Sequence, residues 1–158
     1  AGSCSWNTMR ARHCNWVRLR DRKSGAEFRV LDIHLDHKSD DARREQMKMI
    51  VGECAQYADG FPQIICGDFN SGIENAPVAC LRDAGWQEAY EAVHGPGEAG
   101  FTYHGFKGPD YRKKNARRID FIFVRGNLQP VAAEILRDKV DGLYPSDHYF
   151  LMSDFIIQ

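Results

Sequence analysis

Four short clusters in the sequence carry side chains able to move protons or hold a hard cation. In Asp32-Ile33-His34-Leu35-Asp36-His37, period-two alternation puts Asp32, His34 and Asp36 on one face of a strand, so that an imidazole points where two carboxylates point. Imidazole beside carboxylate is an acid, base or metal arrangement. The plainer alternative is a hydrogen-bonded structural histidine near a strand end. In Gly67-Asp68-Phe69-Asn70-Ser71 a carboxylate and a carboxamide stand two residues apart after an apolar run. If the backbone stays extended both point the same way; Asp68 then takes a proton from attacking water, and Asn70 donates to a phosphate oxygen or fixes that water. The alternative is an Asx turn, with Asp68 bonding its own backbone.

Asp120 lies between Ile119 and Phe121 in an otherwise apolar segment, where an unpaired carboxylate is costly and asks for a partner. Pro145-Ser146-Asp147-His148 supplies one: His148 is the expected partner, since a buried Asp that orients an imidazole is sound hydrolase chemistry. Asp147, pointing away from His148 if the chain is extended, is then free to bind a cation through oxygen. The basic stretch Lys107, Arg112, Lys113, Lys114, Arg117 and Arg118 contains one acid, Asp110, and has Tyr103, Phe106 and Tyr111 near it. It reads either as a solvated loop or as a contact in which Arg112, Lys113 and Lys114 hold a phosphate-rich substrate with a ring available for stacking.

These residues need a scaffold. Arg12–Asp21 and Glu27–Leu35 alternate around the turn residues Arg22-Lys23-Ser24-Gly25, which predicts a β-hairpin. Ser39 caps an acidic first turn, and Met47, Ile50, Val51, Cys54 and Ala58 recur at helical spacing, which predicts a helix over about 40–58. A short buried strand over 62–66 ends at Gly67, where the second cluster begins. A short helix over 77–84 follows, then a long surface loop over 94–116. Strands are predicted over 118–124, with Phe121 and Phe123 on one face and Asp120 on the other, over 131–136 and over 148–155.

A chain of 158 residues with 43% apolar and 27% charged residues is expected to form one domain with a real core. Residues 12–158 are read as that domain and 1–11 as a tail or the remnant of a cut. A net charge of -1 argues against attachment to nucleic acid by bulk electrostatics. The five cysteines show no C-x-x-C pair or zinc spacing, and are read as free thiols in a reducing, cytoplasmic setting. No stretch approaches the roughly 18 apolar residues of a membrane span.

Together, His34-Leu35-Asp36-His37, Gly67-Asp68-Phe69-Asn70-Ser71, Arg118-Ile119-Asp120-Phe121-Ile122-Phe123 and Ser146-Asp147-His148 resemble the endonuclease/exonuclease/phosphatase family, over residues from about 12 to 155. The resemblance implies an α/β fold, a DNase I-like two-layer β-sandwich flanked by helices. It implies in-line phosphoester hydrolysis with Mg²⁺, or Mn²⁺ in its place, in which Asp68 polarises the water, Asn70 orients it or the phosphate and Asp147 helps hold the metal. His148, oriented by Asp120, and His34 would stabilise the phosphoryl oxygens. Substrates in this family carry phosphate: nucleic acid, nucleotide, phospholipid head group or sugar phosphate. The family's N-terminal portion, with an Asn and the Glu that is its main metal ligand, has no motif match here. The chain is therefore expected to be the C-terminal part of such an enzyme, leaving apolar surface for a missing N-terminal half or for a homodimer. Two rival readings stand beside it: a degenerate domain that binds a partner or phosphate-rich ligand without turnover, and a zinc hydrolase of metallo-β-lactamase type, with Asp32 in place of its first His.

Overall fold

The computed structural model describes residues 1–6, 12–97, 100–111, 114 and 116–158. Strands β1 (Gly2–Trp6), β2 (Arg12–Arg20) and β3 (Glu27–His34) form an antiparallel ribbon. The expected hairpin is thus β2–β3, with Asp21 accepting from Ser24 at the turn. Residues 2–6 are no loose tail: as β1 they pair with β2, Cys4 opposite Cys14. From β3 the chain crosses through α1 (Asp40–Cys54) into β4 (Gln63–Asp68), which lies parallel to β3. Ser39 caps α1 by accepting from the Ala42 N–H, with Asp40 and Asp41 against the positive end of the helix dipole. Beyond β4 come α2 (Ala76–Asp83), the two-residue β5 (Gln87–Glu88), α3 (Ala89–His94) and β6 (Asp120–Arg125). Sheet order is β1-β2-β3-β4-β6-β5, with β6 antiparallel to both its neighbours. Strands β7 (Leu128–Leu136) and β8 (Phe150–Ile157) make a separate antiparallel pair.

One face of the large sheet buries Leu31, Ile33, Ile65, Phe121 and Phe123 against Met47, Ile50 and Cys54 of α1 and Val78 and Leu81 of α2. Phe69 completes this core, its ring edge-on to Phe121 at 5.2 Å. At the other face, a cleft of about 350 Å³ separates Cys66 and Ile122 from Phe150 and Leu151 of β8. The architecture is the α/β, two-sheet arrangement with flanking helices that the sequence led us to expect. Phe150, Met152 and Ile156 alternate along β8 with their side chains about half exposed, so the second sheet carries uncovered apolar surface. No helix of the described residues is long and apolar enough to cross a membrane.

Two ion pairs, one buried and one with its carboxylate reaching solvent, brace the frame. Arg118 reaches Glu88 at 3.0 Å, with both side chains almost fully buried, and its guanidinium lies over the rings of Tyr90 and Phe121. Arg29, fully buried, pairs with Glu53 at 2.7 Å and stacks between Trp16 and Tyr57.

Candidate active site

Asp68 and Asp120 are cross-strand partners at the ends of β4 and β6, so sheet register alone brings two carboxylates together. Their approach depends on Gly67. Its φ of +133° suits glycine, and a Cβ there would meet the Ile33 carbonyl oxygen at 2.0 Å. Thr102, fully buried, ties down the start of β6: its hydroxyl accepts from the N–H groups of Ile119 and Asp120, and its carbonyl accepts from the Tyr149 N–H. Those bonds join β6 to the segment carrying His148.

His148 Nδ1 stands 2.9 Å from Asp120 Oδ2, the pairing expected for a carboxylate in an apolar strand. Donation from Nδ1 fixes the tautomer and leaves Nε2 for other work. The bond to Asp120, with the nearby charge of Asp68, raises the His148 pKa above its ordinary value despite partial burial. Ser146 accepts from the His148 N–H at 3.1 Å, and the edge of the Tyr103 ring packs at 5.1 Å from the imidazole.

Asp68 does two things at once. Its Oδ1 accepts the Asn70 N–H at 2.7 Å, which is the Asx turn, while Oδ2 lies 3.4 Å from His34 Nε2. Asn70 has φ +49°, so the backbone is not extended there, and its amide nitrogen donates to the Leu35 carbonyl at 3.1 Å. Burial, reinforced by the Asp120 charge, pushes the Asp68 carboxyl up to about 6.

His34 is half exposed at the end of β3, its pKa lowered by burial and by the Arg12 guanidinium. That arginine was not singled out from the sequence. Arg12 lies 2.9 Å from His34 Nε2 and 2.8 Å from His37 Nδ1, with its Nε buried and unpartnered among the described residues. Its signal was weak, since a basic residue at the start of a solvent-facing strand is ordinary. Asp36 does not join His34, because β3 ends at His34 and alternation ends with it. Its buried carboxylate instead accepts the N–H groups of Lys38 and Ser39 at 2.8 Å ahead of α1. The zinc-hydrolase reading of this segment therefore loses a ligand.

Ligand atoms of Asp68, Asp120 and His148 all lie within 4.8 Å of one another, the one such group among the described residues. Asp147 is outside it; its carbonyl accepts from His104 and Gly105 at 2.8 and 3.0 Å. Lys114 is exposed, while Arg112 and Lys113 fall outside the described residues.

The model of the endonuclease/exonuclease/phosphatase family matches residues 6–148. The chain belongs to this family. No curated protein sequence matches it. Among solved structures it is similar to a functionally unknown conserved protein from Enterococcus faecalis, with TM-score 0.80 and 27% identity over 94% of this chain and 57% of that one. It is similar in fold to a mannosyl-6-phosphatase from Bacteroides thetaiotaomicron, with TM-score 0.83 and 21% identity over 98% and 65%. It is similar also to D. rerio TDP2 complexed with single strand DNA product, with TM-score 0.76 and 18% identity over 99% and 67%. This member of the family thus spans 57% and 65% of the length of the first two.

Proposed function

We propose that this chain supplies the water-activating and charge-stabilising side of a divalent-metal-dependent phosphoesterase. The observation that carries the reading is the convergence of Asp68, Asp120 and His148 at paired strand ends. The two carboxylates offer the oxygen ligands that suit Mg²⁺ or Mn²⁺, and a cation there would relieve the Asp120 charge that, after burial, raises the Asp68 pKa. Asp147 is assigned as a further oxygen ligand, as the neighbour of His148 in sequence. A bound cation would neutralise charge developing on the phosphoryl oxygens.

The chain's own residues divide the remaining work. Asp68 takes the proton from the attacking water as its oxygen bonds to phosphorus. The bond from phosphorus to the leaving oxygen breaks in line. Asp120 holds His148 so that Nε2 faces the phosphoryl group, and His34 and Asn70 are assigned as further donors there. Arg12 presents a guanidinium whose acceptors are two imidazoles, which an anionic phosphate outcompetes. Arg112, Lys113 and Lys114 are assigned to the distal, phosphate-bearing part of the substrate.

The names of the structural neighbours, a sugar phosphatase and a protein holding a DNA product, support a phosphate ester as substrate. The uncovered side chains of β8 support a further partner surface, filled by an N-terminal portion or by a second copy. The rival reading is phosphate-ligand binding without turnover. Hydrolysis of bis-p-nitrophenyl phosphate in EDTA and with added Mg²⁺ or Mn²⁺ separates the two. Turnover restored by metal is expected; a rate unaffected by metal overturns the proposal.

A further inference from the structure

Away from the carboxylate cluster, the loops that carry Tyr103 and His148 continue into a second concavity of about 600 Å³. Phe106, Lys107, Asp110, Lys139, Leu143 and Tyr144 line it. Three features set it apart from an ordinary loop surface. Phe106 has φ +61° and is 62% exposed, so a bulky residue is held in a disfavoured conformation with its ring in solvent. Leu143, 74% exposed, lines the same concavity. Tyr144 forms a rigid wall: its hydroxyl would lie 1.9 Å from a Cβ at Gly108, and its ring packs at 4.5 Å from the buried His104.

The charges point the same way. Lys139 Nζ sits 4.8 Å from the centroid of the Tyr144 ring, and Lys107 is exposed on the opposite loop. Asp110 is the one acid among the lining residues, so the concavity is cationic and aromatic together. Phe106 lies three steps along the chain from Tyr103, a span of at most about 11 Å, and Tyr103 bridges to His148. A group bound here is therefore within reach of one bound at the catalytic cluster.

We propose that this concavity binds a nucleotide unit carrying a phosphate other than the one attacked, its base stacked on Phe106 and its phosphate on Lys107 and Lys139. A sugar monophosphate would leave its only phosphate at Asp68 and His148 and bring no anion to these lysines. A strand or polyphosphate brings both a ring and a second phosphate. The assignment rests on the phosphoesterase reading for the location of the scissile phosphate.

Fluorescence anisotropy of a labelled, phosphorothioate-linked tetradeoxyadenylate, in EDTA so that no turnover occurs, provides the test. Phe106→Gly, which suits the positive φ and so spares the fold, is expected to weaken binding about tenfold or more, with Phe106→Trp restoring it. Lys107→Gln with Lys139→Gln should lower the slope of log affinity against log salt by about 0.7, the share of one phosphate contact on a single strand. Absence of binding, affinity within twofold in Phe106→Gly, or an unchanged salt slope overturns the proposal. Because this readout is independent of catalysis, the two readings fail separately. Phe106-dependent binding with no phosphoester hydrolysis under any metal would overturn the hydrolase and keep the pocket, while hydrolysis with Phe106-independent binding would do the reverse.

Discussion

Replacing Asp68 with Asn should stabilise the metal-free protein at high pH and not at low pH. The carboxyl is 16% exposed and rises from 3.8 to about 6, because burial and the Asp120 carboxylate both penalise its charged form. A shift of about two units, at roughly 1.4 kcal/mol each, corresponds to about 3 kcal/mol. Because the folded-state pKa is raised, the stability linked to Asp68 is fully present below its unfolded pKa. It is lost as pH climbs through about 6. The substituted asparagine carries no such loss, and its amide oxygen still accepts the Asn70 N–H now bonded at 2.7 Å. Part of the gain is returned, since the Asp68 charge also supports His148. Urea unfolding in EDTA should therefore show D68N about 2 kcal/mol more stable at pH 8 and equal to the parent at about pH 3, with unchanged m. A variant no more stable than the parent at pH 8 would refute the claim that this carboxylate is held against its electrostatic preference. Such a stability gain, paired with loss of activity, is what a functional carboxylate predicts.

Other perturbations probe the same construction. Asp120→Asn should lower the His148 pKa, read from its imidazole NMR signals, because the hydrogen bond to Asp120 is the largest cause of its elevation. Gly67→Ala should destabilise severely, by more than about 3 kcal/mol, since its Cβ collides with backbone and not with a flexible side chain; a fall in Tm of only a degree or two would contradict this. Glu88→Gln leaves Arg118 buried with an unpaired charge and should cost about 3–5 kcal/mol by urea unfolding. Arg12→Gln should raise KM for a phosphomonoester about tenfold or more, at roughly 1.5–3 kcal/mol for a charge-assisted hydrogen bond, while an unchanged KM would remove Arg12 from the substrate's path.

Much of this site was legible because its groups violate local rules. A carboxylate in the Ile119–Phe121 strand demanded a partner, and His148 is that partner. Asp68 was placed correctly at a strand end, but pattern alone could not decide between an extended chain and an Asx turn; the positive φ of Asn70 depends on its amide bond to Leu35, 35 residues away. Asp36 misled because alternation holds only within a strand, and β3 stops two residues earlier. The strand β5 and helix α3 are two and six residues long, too short for periodicity to register, and 87–94 carried no expected element. Strand β1 is poor in large apolar residues and owes its place to pairing with β2. Arg12 gains its role only when sheet register sets β2 beside the end of β3, with Cys14 opposite Ile33.

The central claim is that Asp68 and His148 act together on a phosphate ester in a metal-dependent reaction. Steady-state hydrolysis of bis-p-nitrophenyl phosphate with saturating Mn²⁺, compared among the parent chain, Asp68→Ala and His148→Ala, measures it directly. The account predicts turnover in the parent that is lost in both variants, each still folded by circular dichroism. Equal rates in all three proteins would contradict it.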